Sequence, residues 1–438
     1  MIPTFQAKQL FAFVLALLAA ASMWTYVRRI NVRHQEKEAL QFDHPRGNLS
    51  DLYPRWLGAR ELLLRGRDPY SRQITSEIQR GYYGRELDPT RPNDPKDLEA
   101  FAYPVYVVFL LAPTVHMDFS TVRLLSLWLL TGLTVLSIPL WQSAMGLELS
   151  LWGSLTVVVL VLGSYPFVEA ISLQQLSLLV GALLAGSFLM RQCGWLFLSG
   201  ALLAVATIKP HVALLPLILM IMWLAGDWRE RRRWLWGFGS TIVALAVASE
   251  YILPGWIFRF YEAIRSYTIY IGRTSFLDLL LTPRWGGMGR ALIVLIVVWV
   301  CWKSRELAPD ASGSRRALSL ALVAAVCIAP NRATYNQVLL LPGLFLLFGE
   351  GKSFQQGGIF IRQLKRVVWG LLVWPWLASG FLTLARAVFH AESLVLRAWQ
   401  LPLYTTLSLP VVLLVLLLAN PSATVSSHRT FPTPEILA

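Results

Sequence analysis

The stretch QLFAFVLALLAAASMWTYV, Gln9–Val27, decides the fold class. It holds no charged side chain, and as an α-helix rising about 1.5 Å per residue it is long enough to cross the roughly 30 Å hydrocarbon layer of a bilayer. Lipid offers no water to satisfy peptide N–H and C=O groups, so such a segment is stable there as a helix. Arg28, Arg29 and Arg33 follow, with no small-residue cleavage site between, which marks a retained first span and not a removable signal.

Runs of the same kind recur as far as Leu418. Candidate spans lie near 9–27, 102–116, 122–141, 150–167, 171–190, 195–208, 211–225, 234–253, 288–302, 316–330, 336–349, 366–389 and 402–419. Segments 195–208 and 211–225 fall short of about 20 residues, which implies tilting, a re-entrant path or a break at Pro210. Hydrophobic residues make up 55% of the 438-residue chain and charged residues only 15%, against about a quarter in soluble domains, so composition excludes an ordinary soluble fold. The chain reads as an all-α, polytopic integral membrane protein with about eleven to thirteen transmembrane helices. Its expected organisation is a first helix over 1–27, a polar loop over 28–101, a polytopic domain over 102–419 and a polar tail over 420–438.

A formal net charge of +14 would raise the question of nucleic acid in a soluble protein. Here Lys and Arg concentrate in short loops, Trp228–Trp234 and Lys303–Arg316, as in loops that face cytoplasm and anionic headgroups. No basic helix interleaved with stacking aromatics stands outside the spans, so membrane lipids and not nucleic acid are the expected partners. Cys193, Cys301 and Cys327 lack CxxC spacing, and His34, His44, His116, His211, His390 and His428 share no chelating spacing, so neither a metal nor another cofactor is expected. The absence of GxxxxGK[ST] argues against a nucleotide-driven pump.

Arg229, Arg231, Arg232 and Arg233 give the strongest orientation signal and place their loop in the cytoplasm. Forward from there the positive-inside rule is self-consistent, with 254–287 outside, 303–315 inside, the Pro330–Tyr335 turn outside and 350–366 inside. Backward through every candidate span, the same parity puts loop 28–101 inside.

That loop holds 12 of the 25 acidic and 14 of the 39 basic residues, so water, headgroups or a polar substrate is met there. Within it Leu49, Leu52, Trp56, Ala59 and Leu63 follow helical spacing, Ser50 can cap the start and Gly66 can end it, predicting an amphipathic helix on the membrane surface. Asp51 falls in the first turn, where the positive helix end favours a carboxylate within reach of lipid-borne substrates. By itself, Asp51 reads more simply as a partner to Ser50 in capping.

The company of Asp51 is more telling. Ser50-Asp51-Leu52-Tyr53 is followed by Ala59-Arg60-Glu61-Leu62-Leu63, by Gly66-Arg67-Asp68-Pro69-Tyr70, and by Phe101-Ala102-Tyr103-Pro104 opening an apolar run. This order resembles glycosyltransferase family 87, whose GT-C-fold enzymes use polyprenyl-phosphate sugars, typically mannose. The resemblance covers roughly 9–350. It continues at Leu173-Gln174-Gln175-Leu176-Ser177, where Gln174 replaces the usual Gly, and at Ser199-Gly200-Ala201-Leu202-Leu203-Ala204 through Ile208-Lys209-Pro210. At Ala329-Pro330-Asn331-Arg332-Ala333-Thr334-Tyr335-Asn336 relatives often carry a Trp and His, and this chain has no His there.

The resemblance implies a multi-pass plasma-membrane transferase with an extracytoplasmic active site, moving a hexose, typically mannose, from a polyprenyl-phosphate donor to an acceptor of unspecified class. The parity conflict then means that a span within 102–225 is miscounted, with the 150–190 pair and the pair flanking Pro210 the candidates. Asp51 is the expected general base, deprotonating the acceptor hydroxyl while it displaces the phosphate with inversion. Lys209, at a helix end before proline, is either a snorkelling lysine or the cation that binds the donor phosphate, and the resemblance favours the second. Gln175, Tyr103, Arg332, Tyr335 and Asn336 are weaker substrate-binding candidates. Gln175 serves equally as an interhelical hydrogen-bonding residue, Glu169 as a sugar ligand or a loop marker, Asp68 and Tyr70 as turn and interface residues, and His211 as a structural histidine. The rival class is a transporter or flippase for lipid-linked glycans. No internal repeat relates the two halves, which weighs against it.

Overall fold

The computed structural model describes residues 2–41, 50–88, 90–91, 94–95, 97–271, 275–329, 333–349, 358–389, 395 and 397–419. Among them there is no strand. The expected tail, 420–438, and Leu49 lie outside the described residues. Helix α1 (Ile2–Tyr26) does not stop at Val27 but runs through a π-turn (Val27–Asn31) into α2 (Val32–Gln41). The polar segment then forms α3 (Leu52–Arg65) and α4 (Arg72–Tyr83). Gly66, at φ +64°, ends α3 as its sequence predicts, since only glycine adopts that conformation without strain.

The span expected at 102–116 does not form. In its place lie a short α5 (Val107–Leu111) and a 3₁₀ turn (Ala112–Thr114), bounded by Pro104 and Pro113, whose rings oppose a continuous helix. The run is apolar because Val105, Val107 and Val108 are fully buried in protein, beneath α3. Phe101 packs on Gly58 so closely that a Cβ there would meet its ring at 2.3 Å.

The rest of the chain is a helical bundle: α6 (Phe119–Met145), α7 (Leu151–Leu162), α8 (Tyr165–Ser172), α9 (Ser177–Gln192), α10 (Leu196–Ala206), α11 (Pro210–Gly226), α12 (Trp228–Ile252), α13 (Trp256–Ile271), α14 (Phe276–Lys303) and α15 (Ser312–Ile328). A 3₁₀ segment (Thr334–Leu340), α16 (Leu341–Gly349), α17 (Ile359–Phe389) and α18 (Ser408–Ala419) complete it. Among the described residues six helices are long and apolar enough to cross a membrane, seven if α7 and α8, bent by 57°, form one span. Four shorter apolar helices join these: α9, α10, α11 and Thr334–Gly349. The eleven to thirteen spans expected from sequence thus include several segments too short to qualify by length. The break expected at Pro210 is real, with Pro210 the first residue of α11.

The core is built around α15, buried almost continuously from Ala317 to Cys327. Close packing of α10 on α12 depends on glycine: a Cβ on Gly200 would lie 2.2 Å from the Trp234 carbonyl oxygen, and one on Gly237 only 1.9 Å from that of Phe197. Small residues let helix backbones approach where lipid supplies no hydrophobic drive for association.

The bundle has two chemically distinct ends. At one, Arg191 near the end of α9 donates to Pro309 O at 3.2 Å and Ser314 Oγ at 2.9 Å, and Arg231 at the start of α12 donates to Arg305 O at 2.6 Å. Gln192 also reaches Ala144 O, at the end of α6, at 2.7 Å. The opposite end gathers the start of α6, where Phe119 lies edge-on to Tyr53 of α3 at 4.9 Å, together with the start of α9 and the junction of α10 and α11.

Candidate active site

The site lies at this second end, where four segments distant in sequence meet. Ser50 and Asp51 are anchored to the α8–α9 turn by backbone and side chain. The Asp51 N–H donates to Leu173 O at 3.0 Å and the Ser50 hydroxyl to Gln174 Oε1 at 2.6 Å. Ser50 therefore does not cap α3 as its sequence suggests: the cap position belongs to Asp51, whose side chain makes no capping bond. The carboxylate is turned away from the helix, and its Oδ2 accepts from Gln175 Nε2.

Gln175 has its other face on Lys209, with Nζ to Oε1 at 3.1 Å. The Lys209 ammonium also donates to Ser177 Oγ and to Asn336 Oδ1, the latter at 3.2 Å, and stands 4.7 Å from the centroid of the Tyr335 ring. Ser177 donates in turn to Asn336 Oδ1 at 2.7 Å. Gln175, Ser177, Lys209 and Asn336 are all buried. Among the described residues no carboxylate forms an ion pair with Lys209, so its charge is met by neutral oxygens and a ring face. Burying an ammonium in such surroundings is costly. A snorkelling lysine would instead carry its charge out to the headgroups, which this geometry rules out.

Arg55, one helical turn after Asp51, donates to the Asp51 backbone carbonyl and lies 4.6 Å from the Tyr103 ring centroid. Tyr103 is held by Tyr70, whose hydroxyl donates to its carbonyl at 2.6 Å, and Asp68 makes a turn by accepting from Tyr70 N–H at 2.9 Å. The Asp-Pro-Tyr turn is thus a brace for Tyr103. Burial is the main cause that lifts Asp51 from the usual carboxylate range to about 6; nearby Asp97 adds to this, while Arg55, Lys209 and Gln175 oppose it. Glu99 is buried as well, and burial followed by the Asp97 and Asp51 charges pushes it well above the usual range.

Among the described non-glycine residues, only Glu99 (φ +42°), Gln174 (φ +48°) and Thr282 (φ +67°) have positive φ. Gln174 precedes Gln175 and adjoins Ser50, where backbone strain commonly accompanies function. It fills the place where the resemblance expected glycine.

Of the residues singled out from sequence, Asp51, Gln175, Lys209, Tyr335 and Asn336 form one connected constellation, with Tyr103 beside it through Arg55. Arg332 lies outside the described residues. Sequence reasoning missed Arg55 and Ser177 as site residues. The spacing of Arg55 four residues after Asp51, on one helix face, was the available signal. No group of three His, Cys, Asp or Glu residues that could hold a metal occurs among the described residues. Behind the 3₁₀ segment lies an apolar cavity of about 210 Å³, lined by residues including Val161, Tyr165, Val338, Leu341, Trp369 and Trp376.

An all-helical polytopic membrane protein with a carboxylate, an amide and an ammonium interlocked at one end of its bundle has the parts of a membrane transferase. A family model for glycosyltransferase family 87 matches residues 101–330, and the chain belongs to that family. It is a membrane glycosyltransferase. The matched segment contains Gln175, Ser177 and Lys209, whereas Asp51 precedes it and Tyr335 and Asn336 follow it. No curated protein and no solved structure matches the chain.

Proposed function

We propose that the protein transfers a hexose, mannose in the first instance, from a polyprenyl-phosphate donor to an acceptor hydroxyl, with Asp51 as general base and Lys209 as ligand of the donor phosphate. The observation that carries this reading is the single amide of Gln175 bonded to both Asp51 and Lys209. In one displacement Asp51 takes the hydroxyl proton, the acceptor oxygen bonds to the anomeric carbon, and the bond from that carbon to the phosphate oxygen breaks with its electron pair leaving on polyprenyl phosphate. Attack opposite the leaving group inverts the anomeric configuration.

A carboxylate titrating near 6 is a stronger base than an ordinary aspartate and is still ionised at neutral pH. Lys209 offsets charge growing on the leaving phosphate, and in a buried site one such preorganised donor is worth on the order of 10²–10³ in rate. The apolar cavity begins next to Asn336, at Gln337 and Val338, and offers a prenyl chain apolar neighbours close to the phosphate ligand.

The site is assigned to the extracytoplasmic face of the plasma membrane. Helices α9, α10 and α11 each run between the site and the end that holds Arg191 and Arg231, and the positive-inside rule puts that arginine-rich end in the cytoplasm. With 102–116 removed from the spans, the same rule applied backward also moves loop 28–101 outside.

Purified protein incubated with radiolabelled polyprenyl-phosphate mannose and total cell lipids tests the donor. Label passing into a new product, with inverted linkage, is the expected result. Label transferred only from another lipid-linked hexose would replace mannose, and transfer only from a nucleotide sugar would overturn the donor class.

A further inference from the structure

Glu169 is a carboxylate beside this site to which the mechanism gives no task. It lies on α8, one turn before Leu173, the residue that anchors Asp51. Its carboxylate reaches the start of the 3₁₀ segment that bears Tyr335 and Asn336. Oε2 accepts from the Thr334 hydroxyl, and Oε1 accepts from Tyr165 at 3.4 Å. Ala333, which precedes the 3₁₀ segment, has no side chain able to cap it, and Glu169 tethers the first residue of the segment, Thr334, from another helix. No cation is ion-paired to Glu169 among the described residues.

We infer that Glu169 is a positioning residue for the donor-phosphate cradle: it fixes Tyr335 and Asn336, and these fix the Lys209 ammonium. The inference rests on the assignment of Lys209 to the donor phosphate. The linkage runs from Glu169 to the Thr334 hydroxyl, along the chain to Asn336, and from Asn336 Oδ1 to Lys209 Nζ. Thr334 and Asn336 lie within one turn of each other, so a shift at the first is felt at the second. Glu169 touches no reacting atom, and its removal acts on how the donor is held and not on how the acceptor is deprotonated.

A double-mutant cycle on the full-length protein tests this, with the donor KM of polyprenyl-phosphate mannose as readout. Glu169→Ala and Asn336→Ala are each expected to raise donor KM about tenfold, and the double variant no more than either alone, because both break one linkage. Glu169→Gln, whose amide oxygen still accepts from the Thr334 hydroxyl, restores most of the affinity, and acceptor KM stays unchanged throughout. Should Glu169→Ala fail to fold, Thr334→Val removes the same contact from the other side and takes its place in the cycle. Multiplying effects of about a hundredfold in the double variant, or a Glu169→Ala protein with wild-type donor KM, would overturn the inference. An Asn336→Ala variant with unchanged donor KM would instead remove the cradle itself, and with it the phosphate role of Lys209.

Discussion

Lys209 stands one amide away from Asp51: its ammonium donates to Gln175 Oε1 at 3.1 Å, and the same amide donates through Nε2 to the Asp51 carboxylate. The bond from Lys209 to Oε1 fixes which way round the amide lies and so aims its N–H₂ at Asp51. Charge and base are held at a set separation without forming an ion pair, which would neutralise both. Gln175→Ala removes this bridge while leaving the carboxylate and the ammonium themselves intact. The expected loss is about 10- to 100-fold in kcat/KM for sugar transfer, measured at fixed donor. A wild-type kcat/KM would show that the bridge is incidental.

The pH profile follows from the burial of Asp51. On the proposed mechanism the active form is the ionised carboxylate, so activity falls as pH drops through its pKa, near 6. Arg55 holds that value down, so removing its charge raises it, and the acidic limb of kcat/KM for Arg55→Gln moves to higher pH than in the wild type. A limb that stays put or moves down would separate Arg55 from Asp51.

The seam between α10 and α12 predicts a purely structural defect. Gly237→Ala sets a methyl group against the backbone carbonyl of Phe197, which cannot rotate away, so the helices must part. Overpacking of this kind costs about 1–3 kcal/mol. The thermal midpoint in detergent should fall, whereas Gly239→Ala, which meets nothing within 4 Å, should leave it nearly unchanged.

Sidedness is open to direct labelling. Cys193 is exposed in the α9–α10 turn at the arginine-rich end, and Gln73 is exposed on α4 beside the site. In intact cells an impermeant thiol reagent should label Gln73→Cys and reach Cys193 only after permeabilisation. The reverse pattern would place the site in the cytoplasm.

Much of this was legible in the sequence, and the failures share a cause. The apolar periodicity of Leu52, Trp56 and Ala59 and the stop at Gly66 located α3 because both are local properties of the chain. The pairing of Asp51 with Gln175 and Lys209 came from the order of motifs, since 124 residues separate Asp51 from Gln175 and no periodicity could join them. The stretch 102–116 misled because hydropathy reports burial without saying whether protein or lipid does the burying. Ser50 misled for a similar reason: its capping role was the best local option, but Gln174 offered a distant one. Glu169 was ambiguous because its partner Thr334 lies far along the chain.

If Asp51 is the base, its burial has a second consequence, testable with the same variant. Because its folded pKa is raised above the unfolded value, the ionised carboxylate destabilises the fold at neutral pH, and that penalty fades as pH falls through about 6 toward 4. Asp51→Asn should therefore melt no lower than the wild type at pH 7.5, by a margin on the order of 1–3 kcal/mol that closes with acid. The most direct measurement is the rate of transfer of label from polyprenyl-phosphate mannose by purified Asp51→Asn beside the wild type at pH 7.5. The account predicts a loss of about 10²–10⁴-fold in a fully folded protein. Equal product from the two would contradict it.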